Sequence, residues 1–211
     1  MALPSIPSYP MPVADELPAG RAGWRFEPDR AALLVHDMQR YFLRPYPPGQ
    51  PHADLLANVA RLRRFADAAG MPVVYTAQPG DQRPADRGLL TDLWGTGLSS
   101  APSDVDIVAE LAPRPGEAVL TKWRYSAFVR TGLRDLLASH RRTQLVVCGV
   151  YAHIGVLATA CDAFMHDIAP FVVADAIADF SAADHHRALR QAGVCAVVTG
   201  TDQLCTAAQP A

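Results

Sequence analysis

Six short apolar runs, separated by stretches with helical periodicity, dominate the pattern of this chain. The first of them, residues 31–35, contains no polar side chain. An uninterrupted run of this kind is typical of a parallel strand that is buried on both faces, because a strand with one wet face alternates apolar and polar residues. The other runs cover residues 72–76, 118–120, 145–148, 171–174 and 195–198.

Helical patterns lie between these runs. Residues 55–69 and 154–166 each place apolar side chains on one helical face, and residues 132–140 and 183–191 do so more weakly. Gly70 stands where a C-terminal helix cap is expected. Strands that alternate with helices predict an α/β fold with three α/β/α layers, built on a six-stranded, mostly parallel sheet with right-handed crossovers.

The chain divides into three predicted parts. Residues 1–28 are rich in proline and lack periodicity, which indicates an extended arm. Residues 29–205 contain all of the predicted strands and form the α/β domain, and residues 206–211 form a tail. Within the domain, residues 79–117 are poor in strand signals, and so long a connection is often a functional loop or lid.

Composition restricts the possible functions. The 211 residues are half hydrophobic and carry a formal net charge of −2, which suits one globular domain and gives no reason to expect a nucleic acid or an anionic membrane as partner. We find no signal peptide and no apolar run long enough to cross a bilayer, so a cytoplasmic protein is expected. The four cysteines lack CxxC spacing and are interpreted as free thiols, the two in apolar segments as buried.

Polar side chains follow several predicted strands directly. In an open parallel sheet, ligands bind outside the carboxyl ends of the strands, so these side chains are expected to converge on one edge. A single Asp in such a place is usually a helix cap, but several polar groups at neighbouring strand ends weaken that interpretation. The residues concerned are His36, Asp37, Gln78, Lys122, Tyr151 and Asp175.

Several longer segments resemble those of the isochorismatase-like hydrolases. Residues 149–156 follow an apolar run and lead into a helical pattern, and they resemble the signature turn of that family. Residues 35–42, 75–79, 93–95, 121–128 and 173–181 are similar to further family segments in the same order. The resemblance covers residues 5–204 approximately and is strongest to the stand-alone hydrolases of the phenazine-pathway type. It implies an isochorismatase-like, Rossmann-like hydrolase fold.

The residue at position 155 decides between two branches of that family. In the amidase branch the corresponding residue is a nucleophilic cysteine, whereas this chain has Gly155. The resemblance therefore implies a hydrolase that forms no covalent thioester and cleaves a vinyl ether instead. The expected reaction converts 2-amino-2-deoxyisochorismate to trans-2,3-dihydro-3-hydroxyanthranilate and pyruvate. The alternative substrate is isochorismate, which would give 2,3-dihydro-2,3-dihydroxybenzoate on a siderophore pathway.

Two features favour the amino substrate slightly. Siderophore-pathway relatives often carry a carrier-protein domain after the hydrolase, and no such domain follows within these 211 residues. Residues 39–45 also resemble the phenazine-pathway branch.

Vinyl ether hydrolysis sets requirements for the catalytic residues. Protonation of the terminal carbon is slow, so the site needs a positioned acid and a way to stabilise the cation that forms. The resemblance implies that Asp37 is the general acid and that Lys122 and Gly155 complete the catalytic set. An ordinary Asp has a pKa of about 3.9, so the pocket or the dianionic substrate must raise it. Since Lys122 would lower that pKa, we expect Lys122 to be matched mainly to the substrate.

The remaining site residues are predicted to bind the substrate. By resemblance, Gln78 and Arg87 hold a carboxylate, and an aromatic wall surrounds the ring. Without the resemblance, Arg87 fits a solvated loop, and the alternative for Phe42 and Tyr125 is a place in the core. The resemblance also implies a cis peptide between residues 150 and 151. The aromatic residues of the predicted wall are Phe42, Trp94, Tyr125 and Tyr151.

No metal, cofactor or macromolecular ligand is expected. Amidase relatives often bind a metal through an Asp-x-His arrangement, but residues 80–83 lack that pattern. The expected partners are a small isochorismate-type dicarboxylate and, by resemblance, a second copy of the chain in a homodimer. His153, Asp175 and Asp179 are interpreted as structural hydrogen-bonding residues.

Two other classes remain open at this point. A cysteine amidase would have to use one of the four thiols, and Cys161, which lies nearest to the signature turn, falls on an apolar helical stripe. A non-catalytic binding protein would not need Asp37, Gln78 and Lys122 together.

Overall fold

The computed structural model describes residues 3–207 and contains a six-stranded sheet in which each neighbouring pair is parallel. The predicted α/β fold is therefore confirmed. The strands are β1 Ala31–His36, β2 Val73–Ala77, β3 Ala118–Thr121, β4 Gln144–Val150, β5 Ala169–Ala178 and β6 Val197–Thr199.

Helices connect the strands and cover both faces of the sheet. They are α1 Arg40–Leu43, α2 His52–Ala68, α3 Pro84–Arg87, α4 Leu90–Trp94, α5 Pro102–Val105, α6 Leu133–Ser139, α7 Leu157–Met165, α8 Ala182–Ala192 and α9 Thr201–Ala207. Three-residue 3-10 turns occur at Ala14–Glu16, Pro28–Arg30 and Ala109–Leu111, and a π-helical turn, Ala152–Val156, precedes α7. None of the helices within residues 3–207 is long and apolar enough to cross a bilayer.

Each face of the sheet has its own apolar core. One core joins alternate residues of the strands to α2, through side chains such as Leu55 and Val59. The other joins the opposite strand faces to α6, α7 and α8, through side chains such as Leu133 and Leu189. Burial on both faces explains why β1 and β4 are apolar along most of their length.

The strand order creates a crevice at the centre of the sheet. The order is β3-β2-β1-β4-β5-β6, so the chain builds outward from β1 in one direction and then returns to place β4 on its other side. Ligands of open α/β sheets bind at such a switch point, outside the carboxyl ends of the strands. Here the residues just past the two central strands are Asp37 and Tyr151.

The arm packs on the domain of its own chain. Ile6 and Tyr9 are buried in the core that contains α2. The Asp179 backbone N–H donates a hydrogen bond of 2.7 Å to the Tyr9 hydroxyl oxygen, which links the arm to the end of β5. Residues 1–2 of the predicted arm and residues 208–211 of the predicted tail lie outside the described residues.

The structure differs from the sequence prediction in three places. Strand β5 extends to Ala178, so Asp175 lies inside a strand instead of past its end. Helix α9 was not predicted, and it continues to Ala207, beyond the predicted domain boundary at residue 205. The connection at residues 79–117 contains three short helices, α3 to α5, each no longer than five residues.

Candidate active site

A pocket of about 550 Å³ lies at the carboxyl edge of the sheet. Its lining brings together all nine residues that the sequence indicated as catalytic or substrate-binding. The nine residues are Asp37, Phe42, Gln78, Arg87, Trp94, Lys122, Tyr125, Tyr151 and Gly155.

Asp37 is held by residues at the ends of β2 and β3, the two strands that lie in order on one side of β1. Its backbone N–H donates to Thr76 Oγ1 (3.1 Å), and the Thr76 hydroxyl donates to Asp37 Oδ1 (2.6 Å). Lys122, which follows β3, donates from Nζ to Asp37 Oδ2 (2.7 Å), and Gln78 Nε2 lies 3.5 Å from the same oxygen. Because β1, β2 and β3 are neighbours, residues far apart in sequence meet around one carboxyl group.

The ion pair between Asp37 and Lys122 is almost completely buried. The side chains are 5% and 2% exposed respectively. Burial acts to raise the pKa of Asp37, but the charge of Lys122 and the hydrogen bonds from Lys122 and Thr76 outweigh it, so that the pKa lies below its usual value. In this structure Lys122 reaches the carboxylate directly, and the expectation that Lys122 is matched mainly to the substrate stays a prediction.

Arg87 supplies a second buried cation to the pocket wall. It ends α3, its Nε donates to the Gly95 carbonyl (2.5 Å), and its Nη1 has no hydrogen-bond partner within residues 3–207. A Cβ on Gly97 would lie 2.4 Å from that Nη1, so glycine is needed there to admit the guanidinium. A buried guanidinium with an unused donor is suited to a carboxylate.

The aromatic wall is fixed by its own hydrogen bonds. Trp94 Nε1 donates to the Tyr125 hydroxyl (2.7 Å), and the Tyr151 hydroxyl donates to the Phe42 carbonyl (2.6 Å). Burial raises the pKa of Tyr151 far above its usual value, so Tyr151 stays neutral. Its ring also lies 4.4 Å from that of Phe180, measured between centroids.

The turn after β4 forms the floor of the pocket. The peptide between Val150 and Tyr151 is cis, as the resemblance implied. Gly155 lies in the π-helical turn that follows, and its carbonyl accepts a hydrogen bond of 2.7 Å from Thr159 Oγ1. Thr159 in turn accepts a bond of 3.0 Å from the Ala127 backbone N–H.

The structural roles expected for His153 and Asp179 are confirmed. The Asp179 carboxylate accepts a hydrogen bond from the His153 backbone N–H (2.7 Å) and another from its Nδ1 (2.6 Å). This pair holds the turn against the segment that follows β5.

Asp175 caps a helix, as expected, but it does not join the pocket. Its Oδ1 accepts from the backbone N–H and from the hydroxyl of Thr201, both at 2.8 Å, at the start of α9. The prediction that Asp175 converges with Asp37 is wrong because β5 continues past it.

Thiols and clustered metal ligands are absent from the described site. None of the four cysteines lines the pocket, and Cys148 is buried in β4, where burial raises the pKa of its thiol. No group of three or more His, Cys, Asp or Glu side chains within residues 3–207 is placed to hold a metal ion.

Some pocket components carried no clear signal in the sequence. The sequence predicts Thr76 only as a residue of β2, but its hydroxyl donates a hydrogen bond to Asp37. Tyr41 and Phe180 line the pocket next to residues that had been singled out. Leu3 enters the lining from the arm, which no periodicity could have indicated.

Known proteins resemble this chain along most of its length. The isochorismatase domain family matches residues 31–203. The phenazine biosynthesis protein PhzD1 of Pseudomonas aeruginosa is 54% identical over 96% of this chain and 98% of its own. The isochorismatase of Bacillus subtilis is 51% identical over 97% of this chain and 66% of its own. Among solved structures, a cysteine hydrolase from Pseudomonas syringae pv. phaseolicola superimposes with a TM-score of 0.77 at 25% identity, covering 90% of this chain and 96% of its own.

The His153–Asp179 pair should make stability depend on pH. The hydrogen bond to Asp179 raises the pKa of His153 above its usual 6.5, so protonated His153 stabilises the folded state. This contribution is complete below pH 6.5 and is lost as the pH rises through the raised pKa. We predict that the melting temperature of the wild type exceeds that of His153→Asn by more at pH 6 than at pH 9.

Asn is the matched control because its amide keeps a donor near the position of Nδ1 but does not titrate. Thermal denaturation at both pH values measures the difference, and other titrating groups cancel between the two proteins. An unchanged difference between pH 6 and pH 9 would show that folding does not raise the pKa of His153.

Proposed function

Because this chain belongs to the isochorismatase family, we propose that it hydrolyses the enolpyruvyl vinyl ether of 2-amino-2-deoxyisochorismate. The products are trans-2,3-dihydro-3-hydroxyanthranilate and pyruvate. The observation that carries the proposal is the buried Asp37–Lys122 pair in a pocket without a thiol. The amino substrate is favoured by phenazine biosynthesis proteins that are 54% and 51% identical over 98% of their length.

Substrate binding uses the cations of the pocket. The substrate carries two carboxylates, and Arg87, with its unused Nη1, binds one of them together with Gln78. Lys122 turns toward the ether oxygen and the pyruvyl carboxylate. The aromatic wall covers the ring and excludes bulk water, so that the charges interact strongly.

The same binding event changes the protonation of Asp37. Lys122 holds the pKa of that carboxyl below its usual value, as long as the two are paired. A dianion next to Asp37 adds negative charge and draws Lys122 away, and both effects raise the pKa of Asp37. Asp37 therefore takes up a proton as the substrate binds and becomes a general acid.

The reaction then proceeds through an oxocarbenium ion. Asp37 gives its proton to the terminal methylene carbon, which becomes the methyl group of pyruvate. Water adds to the neighbouring cationic carbon, and the Asp37 carboxylate accepts one proton of that water. The hemiketal then collapses by cleavage of the bond between its central carbon and the ether oxygen, which takes a proton from Lys122 and leaves as the alcohol on the ring. The hydroxyl proton of the hemiketal passes to Lys122 as the central carbon becomes the ketone of pyruvate, so Lys122 regains its charge. The sum is addition of one water, without a covalent enzyme intermediate.

Isochorismate is the second candidate substrate. The isochorismatase of Bacillus subtilis is 51% identical and spans 97% of this chain, and the bond broken is the same. The two substrates differ only in an amino group or a hydroxyl group on one ring carbon.

Pyruvate release from each substrate tests the function directly. With both compounds at equal concentration, we expect a higher kcat/KM for the amino compound, measured by coupling pyruvate to lactate dehydrogenase. A preference for isochorismate would select the alternative. If neither compound released pyruvate above the level seen with Asp37→Asn enzyme, the proposed function would be wrong.

Replacement of the acid tests its role. Asp37→Asn keeps the size of the side chain but cannot donate a proton to carbon, so we expect kcat to fall by about 10²- to 10⁴-fold with KM changed only slightly. Asp175→Asn is the control, because Asp175 caps α9 outside the pocket, and its kcat should equal that of the wild type. An Asp37→Asn enzyme with normal kcat would remove Asp37 from the role of acid.

We further propose that the enzyme works in the cytoplasm as a homodimer. The four free cysteines suit a reducing compartment, and exposed apolar side chains such as Leu89 and Leu93 offer surface for a second copy. Light scattering after size-exclusion chromatography should give twice the chain mass of 22.7 kDa. A particle of the single-chain mass would contradict the dimer.

A further inference from the structure

His36 is a fully buried histidine that the reaction described above does not use. It is the last residue of β1 and directly precedes Asp37. Its Nδ1 lies 2.8 Å from the Val150 carbonyl oxygen, and because a carbonyl only accepts, Nδ1 carries the proton of a neutral ring. Its Nε2 has no hydrogen-bond partner within residues 3–207.

The imidazole of His36 occupies the space that a side chain at residue 155 would need. A Cβ built on Gly155 would lie 2.2 Å from His36 Cε1 and 2.9 Å from Nε2. Both distances are far inside van der Waals contact, so any side chain at residue 155 requires the ring to leave.

Neither partner can move away easily. On the strand side, His36 pairs with Gly149 of β4, and a Cβ on Gly149 would lie 2.1 Å from the His36 carbonyl oxygen. On the other side, the Gly155 carbonyl is fixed by the Thr159 hydroxyl, which is itself bound to the Ala127 backbone N–H. His36 is therefore enclosed by Gly149 of β4 and by Gly155 of the turn that follows this strand.

We propose that His36 is a positioning residue that takes the place of a residue-155 side chain and fixes the pocket floor for ether hydrolysis. It does so through its bond to the Val150 carbonyl and through its position behind Asp37, whose Oδ2 lies 3.8 Å from His36 Nδ1. Its role in turnover rests on the proposed function, whereas its steric exclusion of a side chain at residue 155 does not.

The charge of His36 agrees with this role. Burial lowers the pKa of His36 to about 4, and nearby Lys122 acts in the same direction, although Asp37 opposes them. The ring is thus neutral at the pH of most assays and adds no positive charge beside Asp37. Among the neighbouring groups, Lys122 lowers the pKa of Asp37 most, and the neutral His36 ring contributes mainly shape.

A double-mutant cycle tests the proposal with four proteins: the wild type, Gly155→Ala, His36→Ala and the double variant. Gly155→Ala forces the ring aside, so we expect kcat/KM to fall by about 100-fold, the loss that a displacement of about 1 Å in an active site can cause. His36→Ala opens a cavity. In the double variant the new methyl group enters the vacated space, so kcat/KM should be at least about 10-fold above that of Gly155→Ala, because relief of misplacement recovers part of the loss. Melting temperatures should show the same favourable coupling, so that the loss in the double variant is smaller than the sum of the two single losses.

Two controls separate this effect from general damage. Gly132→Ala changes a glycine with open space around its Cβ position and should keep wild-type activity. His185→Ala removes another fully buried histidine, outside the pocket lining. Combined with Gly155→Ala, it should lower the melting temperature further and restore no activity.

Three results would overturn the proposal. They are full activity of Gly155→Ala, a double variant less active than Gly155→Ala, and a double variant whose losses in melting temperature simply add. The melting temperatures test the contact even if the wild type releases no pyruvate, so the failure of the proposed function remains distinguishable.

If the Gly155→Ala variants do not fold, ¹⁵N-histidine spectra of the wild type decide. We expect a neutral His36 ring with the proton on Nδ1 at pH 7. A proton on Nε2 would contradict the hydrogen bond from Nδ1 to the Val150 carbonyl.

Discussion

The buried ion pair between Asp37 and Lys122 is the interaction on which the pocket depends. Two charges with 5% and 2% exposure lose most of their hydration, and such a loss is tolerated only when the pair is close and its remaining bonds are satisfied. The 2.7 Å contact and the Thr76 hydroxyl meet that condition. The parallel order of β3, β2 and β1 makes it possible, because it brings the three strand ends together. Loss of either charge would leave the other buried without compensation.

In the proposed reaction, the same pair accounts for how a carboxylate of low pKa serves as the acid. Lys122 stabilises the ionised form of Asp37 in the pocket, so the carboxylate does not take up a proton before a substrate binds. An anionic substrate competes for Lys122 and places negative charge against Asp37, so protonation is coupled to binding. Arg87 assists because it is a second buried cation without an acidic partner within residues 3–207. The pocket thus selects for an anion twice, once in binding and once in generating the acid.

The sequence was sufficient to predict the sheet and the residues that follow its central strands. Continuous apolar runs mark strands buried on two faces, and the residue after each of four strands enters the pocket, as Gln78 does after β2. Asp175 was misplaced because the apolar pattern breaks at that residue while the strand continues to Ala178. A polar residue inside a strand is indistinguishable from a strand end until its partner, here Thr201 of α9, is known.

Other features depend on distances that no pattern contains. The pairing of Lys122 with Asp37 follows from the register of neighbouring strands and the reach of a lysine. The burial of Arg87 depends on three short helices in the long connection and on the space left at Gly97. Neither helix periodicity nor composition carries that information, and only the resemblance to a family placed Arg87 in a site.

Gly155 shows how one position can mean more than the absence of a nucleophile. In the sequence, glycine at residue 155 indicates only that no thiol is present at that position. In three dimensions its missing Cβ is the space in which the His36 ring lies, and Gly149 admits the backbone of the same histidine. The two glycines and the histidine therefore form one packed unit. Thiol chemistry at residue 155 would require a change at residue 36 of β1 as well as in the turn after β4, because a thiol cannot enter until the ring has moved. Close packing around residue 155 therefore opposes thiol chemistry there, in addition to the absence of the thiol itself.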